Sequence, residues 1–174
     1  MGTMIRTRFA VHPTPVGDAL LLHSDEGLLA LDLLHEPLGT ALERWARRLQ
    51  AASEPDDEGF EPVTRWLDGY FAGERTPFAD TLDWQLVHGF TRAALQAVAD
   101  IPYGETASYG EVALHAGSPR ASRAVGTACA TTPFSLVVPV HRVVRADGSM
   151  GEYGGHPEVK RFLLDLEAET VAGE

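Results

Sequence analysis

Pro139-Val140-His141-Arg142 sets an imidazole and a guanidinium directly after a proline, within an otherwise largely apolar run from Pro133 to Val144. His141 can hold or pass a proton near neutral pH, and Arg142 can grip carboxylates or backbone carbonyls. Between them and the proline there is no nucleophile, because the hydrocarbon of Val140 cannot be deprotonated. The single thiol, Cys129, lies eleven residues earlier between Ala128 and Ala130, with nothing basic beside it in sequence to lower its pKa. It reads as a buried, inert thiol, too far along the chain to meet a group held against position 140. One cysteine also excludes an internal disulfide and a cysteine-based metal cluster. No metal and no cofactor is expected.

The second set of chemically capable residues is basic and needs a helix-turn-helix to carry it. Val87 to Val98 has helical apolar spacing, and Ile101-Pro102-Tyr103-Gly104 is the turn that ends it. Thr106 or Ser108 can cap a helix running to Ala116, which Gly117 is placed to end in a left-handed conformation. Ser118-Pro119 then supplies a cap and a first-turn proline for a second helix that stops before Pro133. That helix displays small residues, Ala121, Ser122, Ala124, Gly126, Thr127 and Ala128, with only Arg120 and Arg123 long. Its backbone can therefore approach a groove floor closely.

The chain before this region reads as a sheet followed by helices. Thr7 to Val11, Ala19 to Leu22 and Leu28 to Leu33 are strand candidates separated by turn residues, which predicts a three-stranded antiparallel meander. Leu38 to Leu49 and Pro62 to Phe71 are helices, the second closed by Gly73. The acidic stretch Ser53 to Gly59 is expected to be a solvated loop, and Glu74 to Leu82 a linker. The fold class is α+β, with a small N-terminal antiparallel-sheet domain with helices (1–82) and a mostly helical C-terminal domain containing the helix-turn-helix (83–174). Nothing before residue 80 looks like a site, so a structural role is expected there.

Length and charge bound the partners. The 174 residues, 44% of them apolar, suffice for a real core and fit one domain, or a small domain joined to a larger one. No apolar run approaches a membrane span or a signal peptide, so a cytoplasmic protein with no membrane partner is the expectation. A net charge of −11 is unusual for a nucleic-acid binder. The acid lies elsewhere, however: residues 90–145 carry five arginines against three acids.

Several motifs follow one family pattern in order and register: PFSLVVPVHRVV, Ile101 to Thr106, Ser108-Tyr109, Gly117 to Arg120, Arg123 to Gly126, then Gly151, Tyr153 to Gly155, Lys160 and Leu163 to Glu167. Over residues 86–168 the chain resembles the O6-alkylguanine-DNA alkyltransferases, the methylated-DNA–protein-cysteine methyltransferases. The resemblance implies that position 140 belongs to the alkyl-accepting cysteine, that His141 and Glu167 match the relay favouring its thiolate, and that the helix of Arg123 enters the minor groove. It implies that Arg123 fills the stack left by the target nucleotide and that Tyr109 presses on the 3′ phosphate. The DNA contacts would come from Ser108, Tyr109, Arg120, Ala121, Ser122, Arg123, Ala124 and Gly126. The base pocket would be lined by Thr132, Pro139, Val140, Glu152, Tyr153 and Gly154.

Departures from the pattern shape the functional expectation. Valine stands at the acceptor position, Thr132 where the family has asparagine, and Gly154 where a small hydroxyl residue is frequent. His141 and Glu167 can equally be satisfied as a buried structural network, with Arg142 holding the loop by bonding carbonyls. Three readings stay open: a non-enzymatic protein that recognises O6-alkylguanine in double-stranded DNA and marks it for another repair protein, a cysteine-to-valine inactive variant of a suicide methyltransferase, and a paralogue repurposed for DNA or protein binding. The first is the leading expectation, with the chain acting as a monomer and transferring no alkyl group.

Overall fold

The computed structural model describes residues 5–174, which divide into two compact units at Leu86/Val87. Residues 81–86 belong to the first unit, and the sheet holds their start. The Leu28 amide donates to the Thr81 carbonyl at 2.7 Å, and the Asp83 amide to the Leu28 carbonyl at 2.8 Å. The far end of the expected linker is therefore sheet edge, with Leu82 bridged to Leu28 in parallel. Gly27, at φ +143°, permits that approach, since a side chain there would overlap the Thr81 carbonyl.

In the first unit the predicted meander forms from β1 (Arg8–His12), β2 (Ala19–Ser24) and β3 (Gly27–Leu33), antiparallel throughout. β2 and β3 are apolar runs rather than alternating ones because both are buried along most of their length. Helix α1 (Leu38–Leu49) covers them, packing Ala41, Trp45 and Leu49 on Leu20, Leu22, Leu29 and Ala30. One expectation fails here. Within the acidic stretch read as a loop, β4 (Glu54–Pro55) pairs in parallel with β1, giving the order β3-β2-β1-β4. Its side chains stay exposed, so the composition looked like a loop while the backbone amides of Glu54 and Asp56 bonded Thr7 and Phe9. Helix α2 (Glu61–Phe71) completes the unit.

The second unit is mostly helical. Helices α3 (Gly89–Ala99), α4 (Tyr109–His115) and α5 (Ser122–Ala130) pack on one another, and α6 (Pro157–Ala172) closes the chain. Ser108 caps α4, its Oγ accepting from the Glu111 amide at 3.1 Å, and Gly117 takes φ +86° after it, both as expected. The second cap is not where the spacing put it. Ser118 and Pro119 form a turn closed by the Ala121 amide on the Ser118 carbonyl, and α5 starts at Ser122 with no side-chain cap. Arg120 therefore precedes the helix instead of lying on it.

A two-stranded parallel ribbon, β5 (Ala107–Ser108) and β6 (Val143–Val144), had no sequence signal. It joins the start of the helix-turn-helix to the end of the Pro139–Arg142 turn. No helix among the described residues is long and apolar enough to cross a membrane.

Candidate functional site

The Pro139–Arg142 turn is built by a tight backbone. Pro139, at φ −79° and ψ 65°, is the centre of an inverse γ-turn in which the Val140 amide donates to the Val138 carbonyl at 2.7 Å. A 3₁₀ turn over Val140–Arg142 follows. Just upstream, the buried Leu136 is held at φ 68°, a left-handed conformation costing a β-carbon residue about 1–2 kcal/mol. Sequence reasoning did not find it, because a leucine gives no turn signal. Val140 is 4% exposed, and Phe134, Val138 and Val143 of the same run are buried with it.

Beside the turn, Glu167 of α6 collects four donors. His141 Nε2 lies 2.5 Å from it, Arg142 Nε at 2.7 Å and Nη2 at 3.1 Å, and the Gly104 amide at 3.0 Å. Arg142 Nη1 also donates to the Ile101 carbonyl at 2.8 Å, as the sequence implied, and its guanidinium lies over the Tyr103 ring. Burial by itself would raise the Glu167 pKa, but the His141 and Arg142 hydrogen bonds and charges hold it down to about 2. Burial pushes the His141 pKa below its usual value despite the carboxylate. The cluster is therefore a carboxylate paired with a guanidinium and bonded by a neutral imidazole donating from Nε2. Nδ1 is left as the acceptor nitrogen.

The next layer belongs to Lys160, whose importance the sequence showed only as a motif match. Its ammonium, 1% exposed, donates to the Val143 carbonyl at 2.6 Å and to the Glu152 carbonyl at 3.4 Å. It thus ties the end of the turn to the glycine loop over Gly151 to Gly155. Burial lowers its pKa to about 8.

Tyr109 opens α4 with its ring edge towards Gly126 of α5, where a Cβ would stand 3.9 Å away, and its hydroxyl beside Gly151. A β-carbon at position 126 would make ordinary van der Waals contact with that ring. Tyr153 has a buried hydroxyl with no hydrogen-bond partner among the described residues, and burial raises its pKa. Glu152, Gly154 and Gly155 are exposed along the same loop. Thr132 is half-buried and uses its Oγ1 to accept from the Phe134 amide at 3.1 Å.

On α5, Arg123, Ala124 and Thr127 are exposed, while Ser122, Gly126 and, just before the helix, Ala121 are half-buried. Ala128 is buried with Val125 and so does not belong to the displayed face. Cys129 lies near enough to Tyr109, Tyr153 and Lys160 to interact electrostatically, closer company than its sequence position implied. Its thiol is nevertheless pushed up to about 12 by burial, against the opposing pull of Lys160, so it is not a thiolate near neutral pH.

A sheet-and-helix unit followed by a helix-turn-helix unit with this buried His–Arg–Glu cluster defines a class that the comparisons identify. Residues 7–84 match the family model of the 6-O-methylguanine DNA methyltransferase ribonuclease-like domain, and residues 89–169 that of its DNA binding domain. The chain belongs to the methylated-DNA–protein-cysteine methyltransferase family. The protein of that name from Methanosarcina acetivorans is 35% identical over 161 residues, covering 91% of this chain and 97% of its own. The crystal structure of the Mycobacterium tuberculosis O6-methylguanine methyltransferase is 35% identical with a TM-score of 0.80, covering 94% of both chains. A structure of the Mycobacterium tuberculosis protein in complex with DNA is 36% identical with a TM-score of 0.78, covering 95% of this chain and 94% of that one.

Proposed function

We propose that this chain recognises O6-alkylguanine in duplex DNA, holds the lesioned base out of the stack and transfers no alkyl group. The observation that carries the reading is Val140: a buried hydrocarbon follows Pro139, beside a His141–Arg142–Glu167 frame held together by hydrogen bonds among its own side chains. Cys129 does not substitute for the acceptor, because it stays protonated near neutral pH.

The recognition steps follow from the exposed face. The small residues of α5 let its backbone reach the minor-groove floor, and Arg123, exposed at its first turn, enters the gap left by the flipped nucleotide. Flipping costs a few kcal/mol, part of which an inserted guanidinium offsets by stacking. Tyr109 bears on the neighbouring phosphate. Val140 then forms an apolar wall against the O6 substituent, and Tyr153 and the glycine loop cover the base. The first unit serves as a structural support, and the protein acts as a monomer that presents the lesion to another repair protein.

The test is binding to a duplex with one O6-methylguanine against its guanine counterpart, with a parallel assay for radiolabelled methyl transfer. Lesion-selective binding without label on the protein supports the reading. Stoichiometric labelling would overturn it, and equal binding to both duplexes would favour a repurposed DNA-binding role. Val140→Cys is the converse experiment. With His141 and Glu167 already poised, label should move to the new thiol.

A further inference from the structure

We propose that Arg145 forms a backbone-phosphate clamp with Tyr109, and that the carboxylate of Glu152 opposes it, so that these two charges set how tightly DNA is held beside the lesion. This rests on the lesion-recognition reading and adds a contact to it.

The geometry begins in the β5–β6 ribbon. The two strands are parallel, with Ala107 opposite Val143 and Ser108 opposite Val144. The following residues, Tyr109 and Arg145, therefore leave the same end of the ribbon side by side, on strands about 4.8 Å apart. Tyr109 turns into α4, whereas Arg145 opens a tight turn in which its amide donates to the Ser149 carbonyl and its carbonyl accepts from the Gly148 amide, both at 2.9 Å. Asp147, the acid inside that turn, bonds the Ser149 amide at 2.9 Å and its hydroxyl at 2.6 Å. That carboxylate spends its hydrogen bonds on the turn, while its charge also acts on Arg145.

The same turn sends the chain back past Tyr109. A Cβ on Gly151 would lie 3.1 Å from the Tyr109 hydroxyl, so Glu152 is anchored one residue from that contact. Arg145 and Glu152 are both exposed, and they act on the Tyr109 hydroxyl with opposite sign. Lys160 also lies nearby, but its buried ammonium is engaged with two carbonyls and does not reach outward. A phenol hydroxyl beside an exposed guanidinium offers a phosphodiester one neutral and one charge-assisted hydrogen bond. A neighbouring carboxylate repels the same anion.

The full chain is titrated with labelled duplexes carrying guanine or O6-methylguanine over a series of salt concentrations. Arg145→Ala should weaken binding to both duplexes alike, by about eightfold at 0.1 M salt, and reduce the slope of log K against log salt by about 0.9, the signature of one lost phosphate contact. Arg145→Lys should keep the slope, and Glu152→Gln should tighten binding to both duplexes. Wild-type affinity and slope in Arg145→Ala, or weaker binding by Glu152→Gln, would overturn the clamp. Failure of the underlying reading looks different: the wild-type chain would bind both duplexes equally, while the Arg145 slope could still be read on either. Both side chains are exposed, so melting curves should match wild type, and Arg145→Gln replaces any alanine variant that melts early.

Discussion

Arg44 in the first unit and Arg142 in the second are each gripped by carboxylates, yet their surroundings give the two pairings very different weight. Arg44 reaches Asp32 at 2.7 Å and Glu36, with half its side chain in water. Arg142 and His141 converge on a Glu167 that is 1% exposed and also holds the Gly104 amide. An exposed ion pair is screened, and its partners rehydrate when it breaks. A buried one leaves an uncompensated charge and orphaned donors, so the second cluster determines whether the Pro139–Arg142 turn keeps its shape.

Glu167→Ala should break that comparison most strongly. It removes both Arg142 bonds to the carboxylate and two further hydrogen bonds, from His141 and the Gly104 amide, and should cost about 3–5 kcal/mol in urea denaturation. The pH dependence sharpens the point. Glu167 titrates in the folded chain near 2, below its unfolded value of 4.5, so its contribution is complete above pH 4.5 and is lost as pH falls towards 2. His141, depressed below 6.5, acts in the same direction, since the unfolded chain takes up its proton first as pH falls below 6.5. Melting temperature should therefore decline on acidification through both windows. Glu167→Gln should flatten the lower one, and an unchanged acid limb in that variant would remove Glu167 from the account.

A smaller effect is expected on the exposed face. Arg123→Ala should leave stability near wild type while weakening lesion binding by about 1–3 kcal/mol, read by fluorescence titration of lesion and guanine duplexes. An equal loss on both duplexes would argue against insertion into the stack. The smallest effect belongs to the first unit. Arg44→Ala should change unfolding free energy by no more than about 1 kcal/mol, and added salt should shrink the difference. A loss as large as that of Glu167→Ala would mean that exposure does not separate the two clusters.

Much of the element order was legible from local patterns. The meander, α1 and α2 follow from apolar spacing and turn residues, and the Ser108 cap and Gly117 stop follow from their own chemistry. The family resemblance implied His141 and Glu167 as partners, and the structure brings them together. Errors arose where a local signal competed with a non-local bond. Ser118-Pro119 has the composition of a helix start, but the Ala121 amide closes a turn on Ser118 first. The acids of the 53–59 stretch concealed a strand because an exposed edge places no demand on side chains.

The sequence by itself determined that no nucleophile stands at position 140, that the only thiol lies elsewhere, and that a small-faced helix carries Arg123. These are properties of residue identity and short-range periodicity. The tertiary structure alone decided that β5 lies beside β6, that Lys160 is buried between the turn and the glycine loop, and that Tyr109, Arg145 and Glu152 share one corner. The β5–β6 pairing joins residues 36 positions apart through backbone hydrogen bonds that any side chain permits, and Lys160 bonds two carbonyls whose placement the folded backbone sets. Their pattern therefore leaves little mark on the residues that make them.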